Sequence, residues 1–324
     1  MIKQKEKSEG KSESGKKELY LENNELIRES EWTSRIENLK REVDDEIKKH
    51  GYLNEKDSIK ILKEKIEQAI VKRVSQKNAV LYSGGIDSTL IAYFLKKQGC
   101  DFLCCTVGLK ESPDVKKARE YSKIMGFKTK IRIITQEELL DTIKEVIRII
   151  NSYDKMKVGV GSVVFLGIKI AKSYGIRNVF SGLGAEELFA GYQRHLKALN
   201  EKRDVNEECW NGLKTMYERD LIRDYKIASY LGIKLRTPFL DEDLIKTAMM
   251  INQELKISEV EKKIILRKLG LSLGIPEEIV SRPKKAAQYG SLFEREIIRI
   301  AKSKGYKNEV DFLRSIYYEV NKKS

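Results

Sequence analysis

Residues 79–97 prescribe a strand, a tight turn and a helix in immediate succession. Ala79, Val80, Leu81 and Tyr82 are a short, largely apolar run, Ser83-Gly84-Gly85-Ile86-Asp87-Ser88 follows, and an amphipathic helix begins at once. That order puts unpaired backbone N–H groups at a helix N-terminus, where the helix dipole also favours negative charge. Gly84 and Gly85 let the backbone turn tightly and approach a phosphate, and Ser83 and Ser88 add hydroxyls. Asp87 is the odd element, because a carboxylate among phosphates makes sense when a divalent cation lies between them. Two readings stay open on these residues alone: a polar turn that merely caps its helix, and a nucleotide-phosphate site.

From residue 78 the pattern alternates between strand and helix. Candidate strands are residues 79–82, 102–107, 130–134 and 178–180, and helices fall near 88–97, 113–125, 136–151 and 161–174. Such alternation predicts an α/β fold with a parallel sheet covered by helices on both faces, and ligands bound at the carboxyl ends of the strands. After Glu186 the strand pattern is expected to stop, leaving a helical C-terminal part. Upstream, Ile36, Leu39, Val43 and Ile47 make one helical stripe, and Ile59, Leu62, Ile66 and Ile70 another, with Gly51 between them. The expected division is a disordered charged tail over 1–18, helices over 19–75 packing on the core, the α/β domain over 76–310 and a terminal helix over 311–324.

The 63 basic and 49 acidic side chains give a net charge of +14, which fits a phosphate-rich partner, nucleotide or RNA. The excess is spread along the chain, however, and reads equally well as solvated helix faces. No apolar run reaches membrane-spanning length and no secretion signal precedes the fold, so a soluble cytoplasmic protein without membrane contact is expected. Cys100, Cys104, Cys105 and Cys209 lack C-x-x-C spacing, and only His50 and His195 accompany them. A zinc site is therefore disfavoured, and Cys100, Cys104 and Cys105, around an apolar strand, read as small core residues in a reducing compartment.

A second glycine–acid cluster, Ser181-Gly182-Leu183-Gly184-Ala185-Glu186-Glu187, also follows a short strand and ends in Gly191-Tyr192. Two such turns at one sheet edge could flank one phosphate chain, with Glu186 or Glu187 as the second carboxylate for the metal that Asp87 holds. Taken alone, the cluster also fits a helix with acids in its first turn. Arg236-Thr237-Pro238-Phe239-Leu240-Asp241 is a stiff apolar turn, ordinary in a loop. Arg282-Pro283-Lys284-Lys285 gathers cations that could stabilise charge on a phosphoryl group, or simply lie on the surface.

Together these segments resemble a known family. Ser83 through Ser88 resembles the PP-loop of N-type ATP pyrophosphatases, an adenine nucleotide alpha hydrolase-like fold. The rest resembles the synthetase domain of class B asparagine synthetases. Val107-Gly108 with Ser112-Pro113-Asp114 and Ala118 is similar to its second nucleotide segment, and Ser181 to Tyr192 to its pyrophosphate loop. Arg236 to Asp241, Glu261 to Arg267 and Arg282-Pro283-Lys284 are similar to its three downstream motifs. The six segments occur in order over roughly residues 60 to 295. The resemblance implies a two-step ligase. A carboxylate attacks the α-phosphorus of ATP, pyrophosphate leaves, and a nitrogen nucleophile then displaces AMP to form an amide. It implies that Ser83, Gly84, Gly85, Asp87 and Ser88 bind pyrophosphate and Mg2+, and that Glu186 is the second metal ligand. Val107, Ser181 and Gly182 would line the nucleotide, and Lys284, with Asp87 and Glu186, would act in catalysis.

The chain departs from that family in places. Residue 2 is Ile where class B enzymes carry a nucleophilic Cys, and the residues ahead of the PP-loop are expected to be too few for a glutaminase. The chain is in this respect most like asparagine-synthetase-domain-containing proteins without the glutaminase. Ammonia or a separate glutaminase subunit would then supply nitrogen to a small-molecule carboxylate, aspartate being one choice and asparagine the product in that case. Leu183 stands where the family has an acid associated with the incoming ammonia, and Glu186 where it has Asp. Two alternatives remain: a PP-loop enzyme acting on tRNA, and an ATP-binding subunit of an amidotransferase complex without catalysis of its own.

Overall fold

The computed structural model describes residues 18–283 and 286–322. The described chain opens with a small hairpin, β1 (Leu21–Glu22) and β2 (Glu25–Leu26), and two long helices, α1 (Glu29–His50) and α2 (Glu55–Val71). The α/β part then runs β3 (Asn78–Leu81), α3 (Ile86–Lys97), β4 (Phe102–Gly108), α4 (Pro113–Met125), β5 (Thr129–Ile133), α5 (Gln136–Ile150), α6 (Lys155–Ser173) and β6 (Asn178–Phe180). Beyond it come α7 (Ala185–Leu188), α8 (Gln193–Asn200), α9 (Val205–Met216), a π-helical turn (Tyr217–Leu221), α10 (Ile222–Tyr230) and β7 (Lys234–Arg236). Helices α11 (Glu242–Met249), α12 (Ile264–Ser272), α13 (Glu277–Val280), α14 (Ala287–Gly290), α15 (Phe293–Ser303) and α16 (Glu309–Asn321) complete the chain.

The five strands form one parallel sheet in the order β5-β4-β3-β6-β7. Alternating side chains along each strand go to opposite faces. Val80, Cys104 and Phe180 join a core with α1, α2, α3, α11 and α12, while Ala79, Cys105 and Val179 join a second core with α5, α6, α15 and α16. The chain proceeds outward from β3 through β4 to β5, then returns to the other side of β3 for β6 and β7. That reversal makes the β3–β6 gap the switch point, where loops leaving adjacent strands diverge and leave a crevice.

Strand β7 overturns the expectation that strands end at Glu186. Its three residues, Lys234, Leu235 and Arg236, form no apolar run, because it is an edge strand needing burial mainly on its inner side. Glu18, assigned above to the charged tail, is also part of the fold; the rest of that tail, residues 1–17, lies outside the described residues. Glu18 is 1% exposed and accepts from Arg73 Nε (3.0 Å) and Thr237 Oγ1 (3.0 Å). Arg73 also donates to Asp241 Oδ2 (2.8 Å), and Arg236 reaches Asn178 Oδ1 (2.7 Å) and Glu18 (3.5 Å). The Arg236–Asp241 turn is thus built into a buried ion network that fastens the start of the fold to the far edge of the sheet. A lone charge cannot be buried cheaply, and mutual pairing is what lets four of them sit here.

Lys256 is fully buried, and its Nζ contacts Met249 Sδ at 3.5 Å. Burial pulls its ammonium down to about 8, against smaller opposing effects from Cys209 and Asp204. The folded pKa lies below the unfolded one, so between pH 8 and about 10.5 the unfolded chain binds more protons and the stability of the parent protein rises with pH. Lys256→Met is therefore expected to stabilise the fold at pH 7 by about 1–3 kcal/mol, with the gain narrowing as pH climbs from 8 to 10. Urea melts of both proteins at pH 7 and pH 10 check this, and a gain that widens with pH contradicts it.

Candidate active site

Both loops at the switch point are shaped by the same small device. Ser83 Oγ accepts from Gly85 N–H (3.3 Å), and Ser181 Oγ accepts from Leu183 N–H (3.3 Å). Ser88 Oγ donates to Gly85 O (3.1 Å) and is the acceptor for Ser83 N–H (3.4 Å). Gly84 sits at φ 73°, a left-handed conformation that disfavours side chains. No side chain caps α3 at its N-cap Gly85, so its first N–H groups remain available for an anion.

The two loops meet through Lys263. Its Nζ lies 2.8 and 2.7 Å from the Asp87 carboxylate oxygens and 2.7 Å from Glu186 Oε1. All three side chains are at most 10% exposed. Lys263 adopts φ 59°, ψ 33° at the N-cap of α12, an uncommon conformation for a side-chain-bearing residue. The two carboxylates offset that strain by fixing the ammonium between them. A Cβ at Gly191 would overlap Glu186 Oε2 and crowd Lys263, so this packing requires glycine there. Two carboxylates converging on one point, beside a helix N-terminus suited to phosphates, are a donor set that fits Mg2+.

Two arginines tie the downstream loop to this point. Arg282 donates to the Ser83 carbonyl and pairs with Asp114 at 2.6 Å. Arg267 donates to the carbonyls of Lys262 (2.8 Å), Val280 (2.6 Å) and Arg282 (3.4 Å). Lys263, Arg267 and Arg282 therefore share a small cavity with Gly85 and Asp87.

A larger cavity of about 220 Å³ runs alongside. Ser83, Asp87, Ser88, Val107, Ser181, Gly182 and Glu186 all line it. Gly84 and Gly85 lie on the loop above α3, Gly85 against the small cavity. Lys284 lies outside the described residues. Leu183 lines the larger cavity too, as do Glu187, Tyr192, Asp220, Arg223 and Asp224. Glu187 is fully buried and its carboxyl is pushed up by that burial, with Arg219 opposing. Its Oε1 accepts from Arg219 Nη2 at 2.5 Å. The π-helical turn between α9 and α10 sets Asp220 and Arg223 on this wall, where they pair at 3.0 Å. Such turns recur at functional sites.

In the sequence, Lys263 and Arg267 stand only within the Glu261–Arg267 motif and carry no assigned role, whereas Arg282 belongs to a cluster of cations. The usable signal was the spacing Lys263-x-x-Leu266-Arg267, which holds one cation at the helix start and another a turn later. The acid–arginine wall of residues 220–224 had no such signal, because it reads as an ordinary charged helix face.

The sequence profile described as asparagine synthase matches residues 62–205 and 197–305, a span that contains every loop above. A Methanocaldococcus jannaschii protein carrying the name asparagine synthetase (glutamine-hydrolyzing) 1 is 32% identical over 277 residues, covering 74% of this chain and 51% of its own length. Asparagine synthetase (glutamine-hydrolyzing) 3 of Arabidopsis thaliana is 34% identical over 209 residues, covering 61% and 36%. The chain thus spans about half the length of the first of these relatives and less of the second. Among solved structures, the NMN synthetase of Francisella tularensis aligns over 83% of this chain and 96% of its own, with a TM-score of 0.40 and 14% identity.

Lys263→Met leaves two buried carboxylates without their shared cation and is expected to cost about 3–5 kcal/mol. Millimolar Mg2+ should recover part of that loss in the variant and shift the parent less, because the cation replaces the missing charge. Urea midpoints with and without MgCl2 measure both effects. Equal midpoints for variant and parent would remove Lys263 from the site.

Proposed function

The chain belongs to the asparagine synthase family, whose members use ATP, and from that premise we propose that it activates a carboxylate with ATP and forms an amide. The observation that carries this reading is Lys263 held between Asp87 and Glu186 beside the open N-terminus of α3. Catalysis of phosphoryl chemistry is largely positioning and neutralisation of charge, and these residues supply both. The N–H groups of α3 and the cations Lys263, Arg267 and Arg282 receive the β- and γ-phosphates. Asp87 and Glu186 would hold Mg2+, which when bound neutralises and orients the phosphate oxygens. The nucleoside lies along the larger cavity beside Val107 and Gly182, with Lys284 acting on the α-phosphate as the family resemblance implies.

In the first step the carboxylate oxygen attacks the α-phosphorus, the bond to the bridging oxygen breaks, and pyrophosphate leaves. A nitrogen nucleophile then attacks the acyl carbon of the adenylate, the C–N bond forms, and AMP departs. The nitrogen comes from ammonia or from a separate glutaminase subunit, and aspartate is the first carboxylate to try.

Incubation with Mg-ATP, ammonium and a set of amino-acid and hydroxy-acid carboxylates is expected to yield AMP and pyrophosphate in equal amounts. Asp87→Ala should lower this turnover at least 100-fold and Lys284→Ala by about 10- to 100-fold. Product chromatography decides: ADP and phosphate in place of AMP, or full activity in Asp87→Ala, sinks the reading.

A further inference from the structure

Gly191 packs directly on the Glu186 carboxylate, and the turn that brings it there is strained. Ala190 takes φ 53°, a left-handed conformation uncommon for a residue with a side chain. Such a turn keeps its shape only where neighbouring hydrogen bonds hold it. On one side Gly191 N–H donates to Glu186 O (2.9 Å). On the other, the next N–H in the chain, that of Tyr192, donates to His195 Nδ1 (3.1 Å). The Gly191–Tyr192 peptide lies against Glu186 Oε2 and Lys263 Cε, and one imidazole orients it.

The geometry commits that imidazole to the task. His195 is the third residue of α8, and its ring folds back onto the N-cap residue Tyr192. Third helical positions usually use Glu or Gln to accept from the N-cap N–H. A histidine supplies the same acceptor on a rigid ring. Because Nδ1 accepts, the ring proton sits on Nε2. His195 is 0% exposed, and Nε2 has no hydrogen-bond partner among the described residues. A buried N–H without an acceptor is costly, and the bond at Nδ1 is what the fold gains against it. The same first turn of α8 also reaches the segment that carries the cation, since Lys262 Nζ donates to Gln193 Oε1 (3.3 Å). His195 lines neither of the two cavities, so its influence passes through the loop.

We propose that His195 is a positioning residue for the metal and phosphate site: its Nδ1 fixes the Gly191–Tyr192 peptide, and that peptide sets the place of the Glu186 carboxylate opposite Asp87. The assignment rests on the reading above in which Asp87 and Glu186 hold Mg2+ beside ATP.

Binding can be read without turnover, from the free Mn2+ signal in electron paramagnetic resonance with α,β-methylene-ATP present. His195→Leu keeps bulk and loses the acceptor, and is expected to weaken Mn2+ binding about tenfold, as loss of a group that orients a metal ligand does. His195→Gln restores the acceptor of the capping box and should stay within about threefold of the parent. In AMP formation the Mg2+ activation constant should rise in the same order, while kcat at saturating Mg2+ changes by less than about threefold. The chain has two histidines, and the other, His50, is exposed. Spectra of the unaltered protein labelled with 15N-histidine therefore give a second readout, which decides if His195→Leu does not fold. His195 is expected in the Nε2–H form and should shift when Mg2+ and the analogue are added, with His50 unmoved. Unchanged Mn2+ affinity in His195→Leu, an equally deep loss in His195→Gln, or a His195 signal indifferent to Mg2+ and nucleotide overturns the positioning role alone. Failure of the unaltered protein to bind Mn2+ with the analogue overturns the metal-site reading and the positioning role together.

Discussion

Three charges held within hydrogen-bonding distance of one another organise this molecule. Lys263 comes from the start of α12, Asp87 from the first turn of α3 and Glu186 from α7 beyond β6, so one ammonium joins three separate segments. The geometry is available because the strand order reverses between β3 and β6, which brings the two loop ends side by side. Without the cation, two buried carboxylates would face each other with less positive charge between them. With it, their charge is kept next to a helix N-terminus, where a phosphate chain and a divalent cation have matching partners.

Much of this was legible in the sequence because the relevant signals are local. The Ser83–Ser88 turn, the apolar strands 102–107 and 178–180 and the helices between them follow from residue spacing alone, and the structure reproduces the order of those elements. What escaped was long-range. Lys263 is 176 residues from Asp87, and nothing near it says which carboxylate it meets. Strand β7 is hidden because its sequence alternates charge with one leucine, and only its neighbour β6 makes it a strand. Glu18 looks like one more charge in a run of charges until Arg73 and Arg236 are placed beside it.

Leu183 illustrates how a loop can change one side chain within an unchanged framework. Leu183 keeps the backbone path of its loop, since Ser181 Oγ still receives the Leu183 N–H. The polar residues that line the cavity with it have separate origins, Glu187 from α7 and Asp220, Arg223 and Asp224 from the segment opened by a π-turn. Such a loop retains its shape and its place at the sheet edge because its backbone, not that side chain, makes the shaping hydrogen bond.

The Glu18 network bears on how the chain acquires its structure during synthesis. Glu18 and Arg236 are 218 residues apart, and Thr237 is one residue further. A ribosome delivers the first member of this ion cluster long before the last two exist. The hairpin and the leading helices must therefore wait, with apolar faces such as Trp32, Ile36 and Leu39 still unpaired, until α9, β7 and α11 have emerged. Closure of the fold is a late and non-local event, of the kind that slows folding and prolongs exposure to aggregation. The segment from Glu18 through α1 is among the last of the described parts to find its place.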